Sequence, residues 1–308
     1  MTMRSLTHAM LVSVLVVFSG MARAQQDPLY SQYMFNTLAF NPAYAGSAGV
    51  FSAMALSRHQ WVGFSGAPST QTLTVNSPIV SRSMALGGTL LNDKAGPMRQ
   101  TGAFLDYAYR IRTGEGSQLA FGLRGGINVA RADLASLNTV EVDPANADIR
   151  GMMMPNFGFG LFWHAPQWYA GLSLPKLVRN SFALEGVPLV SVSEERHYFL
   201  MGGYVTDLGP DLKFKPSMML RVVPGAPLSL DLNGNFLLRE RIWFGALYRL
   251  GNAFGLMAQY QANDQLRVGY AFDLTTTRLG AYNAGTHELM IAYDMRFFQG
   301  NAVSPRYF

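Results

Sequence analysis

The sequence predicts an all-β protein, an antiparallel transmembrane β-barrel of about fourteen strands with an N-terminal plug or periplasmic segment. Three observations predict it. From residue 50 onward apolar residues recur at period two, which places them on one face of an extended strand and not along a helical stripe. Hydrophobic residues make up 49% of the chain and charged residues only 14%, where a soluble domain carries about 25% charged. Gly, Pro, Asn or a charge interrupts each apolar stretch before it reaches the ~18 residues of a spanning helix.

Residues 1–24 read as a cleaved secretory signal. Arg4 and His8 precede an apolar stretch from Met10 to Phe18, and Ala22-Arg23-Ala24 supplies small residues at the cut. Loss of Arg4 and Arg23 takes the formal charge from +5 to +3, which is too small and dispersed for a nucleic-acid partner. With no cysteine there is neither a disulfide framework nor a thiol nucleophile.

Residues 25–48 form the plug or periplasmic segment. Asp27 is placed to cap a short helix entered through Pro28 and ended before Asn41-Pro42. Its aromatics, Tyr30, Tyr33, Phe35, Phe40 and Tyr44, are too many for a free tail and predict packing in the lumen or at its mouth.

The barrel is expected over residues 49–298. Thr101 to Ile111 alternates most clearly, with Ala103, Leu105, Tyr107, Tyr109 and Ile111 on one face and Gly102, Phe104, Asp106, Ala108 and Arg110 on the other. Leu119 to Val129, Leu228 to Leu238, Leu266 to Leu274 and Glu288 to Phe297 repeat the scheme. Weaker candidates lie near 50–58, 69–76, 83–91, 156–164, 167–174, 197–206, 212–222, 241–250 and 253–260. Asn92-Asp93, Gly114-Glu115-Gly116, Pro224-Gly225, Gly251-Asn252 and Asn263-Asp264 carry turn chemistry between them. A soluble sandwich also alternates, but here the apolar face is studded with Tyr, Phe and Trp while the other is Gly, Ser, Asn, Asp and Arg. That pattern suits lipid outside and a polar lumen inside, and lipid demands a closed sheet.

Trp61, Trp163, Trp168 and Trp243, with Tyr109, Tyr169 and Tyr248, are placed near strand ends, where amphipathic rings favour the headgroup layer, and taken singly each reads equally well as a packing residue. The tail, 299–308, ends Ser304-Pro305-Arg306-Tyr307-Phe308 and reads as a docking peptide or a disordered stub, the former favoured.

Gln26-Asp27-Pro28, Ser31 to Asn36, Asn41 to Gly46 and Arg58 to Phe64 together resemble the opening of the PorP/SprF proteins. The likeness continues through Asn92 to Gly96, Pro155 to Gly158, Tyr169 to Ser173, His197 to Leu200, Lys215-Pro216-Ser217, Gly225 to Leu228 and Tyr282 to Glu288. These are outer-membrane barrels of the Bacteroidetes type IX secretion and gliding machinery. The resemblance implies outer-membrane localisation, partners among type IX components, secreted adhesins with C-terminal sorting domains and periplasmic lipoprotein or peptidoglycan-linked subunits, and no catalytic residues.

Enzyme signatures are missing from the sequence, with no GxSxG, Walker, HExxH or GxGxxG pattern. The four histidines past the signal, His59, His164, His197 and His287, show no catalytic spacing. Glu141, Asp143, Asn146 and Asp148 lack an EF-hand pattern and read as a solvated loop, so no metal and no cofactor is expected. Contacts to the plug or to partners are assigned to Tyr33, Phe35, Asn41, Pro42, Tyr44, Arg58 and Trp61. A lumen network is assigned to Asp106, Arg124, Asp231, Asn233, Arg267, Asp273, Glu288, Asp294 and Arg296. Their mixed signs favour charges that satisfy one another over an ion-selective channel. The functional expectation is a non-enzymatic docking and anchoring barrel, with specificity in 27–61, the loops near 131–155 and 176–195, and the tail; the alternative is a passive porin.

Overall fold

The computed structural model describes residues 27–79, 83–133, 149–184 and 187–295. The expected signal, the acidic cluster at 141–148, Arg296 and the tail lie outside these residues. One large antiparallel sheet contains β1 (Phe51–His59), β2 (Ser69–Pro78), β3 (Met84–Ala95), β4 (Met98–Gly114), β5 (Ser117–Ala132), β6 (Ile149–Ala165) and β7 (Trp168–Leu174). After a small separate hairpin of β8 (Ser181–Leu184) and β9 (Val187–Ser193), it continues through β10 (Tyr198–Tyr204), β11 (Thr206–Asp207), β12 (Leu212–Val222), β13 (Ser229–Leu238), β14 (Ile242–Arg249), β15 (Ala253–Gln261), β16 (Leu266–Thr275) and β17 (Thr286–Met295). Because β10 and β11 both pair with β12 and are parted only at Val205, the fifteen strands of the sheet make fourteen staves. The first and last staves pair along their whole length, from Phe51↔Met295 to His59↔His287, and so close the cylinder. Closure leaves no strand edge to stand unsatisfied in hydrocarbon.

The wall is inverted relative to a soluble core. Leu105, Leu123, Phe157, Leu256, Leu289 and Ile291 stand outward and exposed, Leu105 at 75%, while their neighbours Asp106, Arg124 and Glu288 point inward and are buried. So continuous an apolar exterior is a membrane surface. Among the described residues no helix is long and apolar enough to cross a membrane; the strands do the crossing. β4 and β6, at 17 residues each, exceed the about 9–11 a tilted strand needs to span the hydrocarbon, so they extend beyond it.

Chain direction sorts the connections into two ends. At the end where β1 begins and β17 finishes, here the terminal end, the turns are short, as between Gly114 and Ser117, Ala165 and Trp168, or Leu238 and Ile242. The opposite, loop end carries longer excursions, including residues 60–68, 175–197 and 276–285.

Four sequence expectations need correction. No helix follows Asp27; the segment instead makes two 3-10 turns, Thr37–Ala39 and Pro42–Tyr44, the second capped by the Asn41 side chain on Ala43 N–H. Asn92 and Asp93 are not a turn but the polar end of β3, satisfied across the ladder by Gln71 at 2.7 Å and Thr70 at 2.5 Å. The turn falls later, at Gly96, whose φ of +57° favours glycine. Trp243 and Tyr169 do not sit in the headgroup layer; both point inward and are buried, because their strand parity places them on the lumen face. The stretch near 176–195 is not a bare loop but carries the β8–β9 hairpin.

Candidate functional site: a segment held inside the barrel

Residues 29–46 are almost entirely buried, and their partners are inward-facing side chains from around the cylinder. A continuous stretch touching β1, β2, β5, β6, β7, β12, β16 and β17 lies within the lumen. It enters at the loop end, where Asp27 meets residues 176 and 197, and leaves at the terminal end into β1.

The wall makes room for it with glycine. On β5, β6 and β7 the inward positions Gly122, Gly160 and Gly171 form a track beneath Asn41-Pro42-Ala43. A methyl group on Gly122 would fall 2.1 Å from Ala43 N, and one on Gly160 2.1 Å from Asn41 Oδ1. No Cβ survives such contacts, so the backbone of the segment takes the space that side chains would fill. Asn41 Nδ2 donates to Leu161 O at 2.9 Å, and Ser173 Oγ donates to Phe40 O at 2.9 Å, which pins the same stretch by its polar groups.

Charged groups hold the segment at three levels. At the loop end, Lys176 Nζ lies 2.7 Å from Asp27 Oδ1 and 3.0 Å from Glu194 Oε1, and Asp27 N–H donates to His197 Nε2 at 3.2 Å. Asn128, Asn156 and Asn180 donate to the Glu194 carboxylate. Burial works against the Asp27 carboxylate, yet the charge of Lys176, which also donates to it, outweighs burial and brings its pKa down to about 2. Burial likewise opposes the Lys176 ammonium, and Asp27 with Glu194 more than restores it, holding its pKa above the ordinary lysine range.

At the middle level Arg58 Nη1 donates to Glu288 at 2.9 Å and to Ser31 Oγ at 2.7 Å, and Nη2 donates to Asp273 at 2.8 Å. Glu288, wholly buried, also accepts from the backbone N–H groups of Ser31 and Gln32 at 2.8 and 2.9 Å. Across the lumen Arg124 is paired with Asp106 at 2.6 Å and donates to Leu38 O and Ala39 O at 2.7 and 3.0 Å. Arg249 pairs with Asp231 at 2.8 Å. Lys215 lies under Phe35, 4.6 Å from the ring centroid, with Trp243 at 5.7 Å, and Arg267 covers the same Phe35 ring at 5.2 Å. Toward the terminal end Arg110 donates to Ala45 O, and Gly46 N–H donates to Asn76 Oδ1 at 2.8 Å.

Of the residues singled out in the sequence, Tyr33, Phe35, Asn41, Pro42, Tyr44 and Arg58 come together in this assembly, with Tyr44 edge-on to Phe162 at 5.3 Å. Trp61 does not; it sits at the loop end with φ +47°, its backbone N–H donating to Thr286 Oγ1 at 3.2 Å. Asp106, Arg124, Asp231, Asn233, Asp273 and Glu288 are buried and inward, Arg267 lies against Phe35, and Asp294 bonds Ser52 at 2.6 Å near the terminal rim. Sequence reasoning missed Lys176, Glu194, Lys215, Arg249 and the glycine track. Strand parity marks Gly122 and Lys215 as inward, but Lys176 and Glu194 belong to a loop that folds back, and no one-dimensional pattern carries that. Among the described residues no group of three or more His, Cys, Asp or Glu is placed to hold a metal ion.

Solved outer-membrane structures are similar in outline: Acinetobacter baumannii Omp33 (10% identity, 80% of this chain and 98% of that one, TM-score 0.47) and a Pseudomonas aeruginosa FadL homologue (11% identity, 88% and 95%, TM-score 0.47). No curated protein matches the sequence. The family model described as "Type IX secretion system membrane protein PorP/SprF" matches residues 22–293. With that match running from the lumen segment through the last stave, the chain belongs to the PorP/SprF family of type IX secretion system membrane proteins.

Proposed function

We propose that this protein is a non-enzymatic docking and anchoring barrel of type IX secretion, in which residues 27–50 act as a permanent plug. The observation that carries the reading is the wired lumen: buried cations in the wall are bonded to carboxylates or to backbone carbonyls of the segment, an arrangement suited to rigidity and not to passage of solutes. Short turns in outer-membrane barrels face the periplasm. On that orientation the terminal end addresses periplasmic subunits, and the loop end, with Asp27 and the β8–β9 hairpin, addresses secreted adhesins or sorting-domain proteins outside. Residues 1–24 direct export as a signal that is then cleaved.

Affinity capture of the detergent-extracted complex followed by mass spectrometry tests the proposal. Recovery of type IX components or a sorting-domain protein supports it, and recovery of the barrel alone from cells secreting such proteins overturns it. Planar-bilayer recording addresses the porin alternative, which a large steady conductance from the isolated protein would favour.

A further inference from the structure

At the terminal end a cavity of about 540 Å³ remains beside the segment, within the about 300–1,000 Å³ range of ligand sites. Phe35, Tyr44 and Trp243 line its depth, and the carboxylates of Glu240, Asp264 and Asp294 line its mouth. Arg267 is the one cation among the described lining residues, and it is spread over the Phe35 ring. Glu240 pairs with Lys213 at 3.5 Å and Asp294 accepts from Ser52, and three carboxylates against one cation among the described lining residues give the mouth an excess of negative charge.

The described chain stops at Met295, one residue past Asp294 of the cavity wall. The remaining residues, 296–308, include Arg296, Phe297, Phe298, Arg306, Tyr307 and Phe308 and no acidic residue. We propose that this segment of the same chain docks in the cavity, with aromatic rings against Phe35, Tyr44 and Trp243 and arginine against the mouth carboxylates. Reach is ample: the far wall at Glu240 and Trp243 is three staves from β17, about 15 Å at the spacing of neighbouring strands, whereas thirteen extended residues span about 43 Å. Tethering gives the segment an effective concentration of order millimolar, so modest contacts suffice.

The chain has no cysteine, so single cysteines report cleanly. In the purified full-length protein, Ser304→Cys should react with a bulky maleimide about tenfold more slowly than the same cysteine in an Asp264→Asn, Glu240→Gln background. Separately, Ser304→Cys paired with Asn263→Cys should form a disulfide within one chain under mild oxidation. Equal maleimide rates in the two backgrounds overturn the proposal. So does a disulfide that joins two copies, which would make a second molecule the occupant, or no disulfide at all.

Discussion

Arg58→Ala is the most demanding test of the wired lumen. Arg58 and Glu288 are register partners across the β1–β17 seam, and the guanidinium is the common cation of Glu288 and Asp273 while it also holds Ser31. Both carboxylates are buried, Glu288 at 0% and Asp273 at 2% exposure, so truncation leaves two negative charges facing each other away from water. Breaking a buried pair by removing one partner costs about 3–5 kcal/mol, and here two carboxylates lose their partner, which places the expectation at the upper end. Equilibrium urea unfolding in lipid vesicles measures the loss. Leu289→Ala, on the lipid face of the same seam, supplies a control that alters the stave without touching the network. Arg58→Lys should fall between, because an ammonium cannot present the fork that reaches both Ser31 and the two acids. A loss for Arg58→Ala below about 1 kcal/mol, or no larger than that of Leu289→Ala, would refute the reasoning that the lumen charges hold the cylinder shut.

The same geometry sets other outcomes. Gly122→Val should drive Pro42 and Ala43 off the wall while the staves remain paired, read as new protease cleavage within residues 27–50 and a rise in single-channel conductance; unchanged cleavage would exclude the glycine track as the seat of the segment. The Asp27–Lys176 clasp should be insensitive to pH across a wide window. The depressed Asp27 pKa gives stability that is present above its ordinary 3.8 and lost as pH falls through about 2. The raised Lys176 pKa gives stability present below its ordinary 10.5 and lost only at higher pH. Protease accessibility of residue 27 should therefore stay flat from about pH 4 to 10 in the native protein, and Asp27→Asn should raise it throughout. Leu105→Arg, near the middle of β4 on the lipid face, should cost about 2–4 kcal/mol in vesicle unfolding.

Stave number and facing were legible because they rest on a single strong period: outward apolar residues alternate with inward ones, as in Leu105-Asp106, Leu123-Arg124 and Phe159-Gly160, and one register slip would reverse them all. Residue type is a weaker guide than period. Ring chemistry leaves Trp243 and Tyr169 open between the headgroup layer and packing, and their parity with Phe244 and Ala170 decides for packing on the lumen face. Asn92 and Asp93 have turn chemistry, yet Thr70 and Gln71 across the ladder satisfy them as strand residues. The burial of residues 29–46 was foreshadowed by their aromatics. Their path was not, because it depends on partners such as Arg124, Ser173 and Glu288 that lie 85 to 257 positions away.

The closure of the cylinder through Arg58 and Glu288 has a consequence for the seam itself. The two ends of the sheet meet at the residues that grip Ser31 and Gln32, so the seam and the seat of the interior segment share one set of side chains. A ring completed around a vacant centre would keep the Arg58 bridge to Glu288 and Asp273 but would leave the buried Glu288 carboxylate without the Ser31 and Gln32 N–H donors. The join is therefore fully hydrogen-bonded only in a molecule whose leading residues lie inside it.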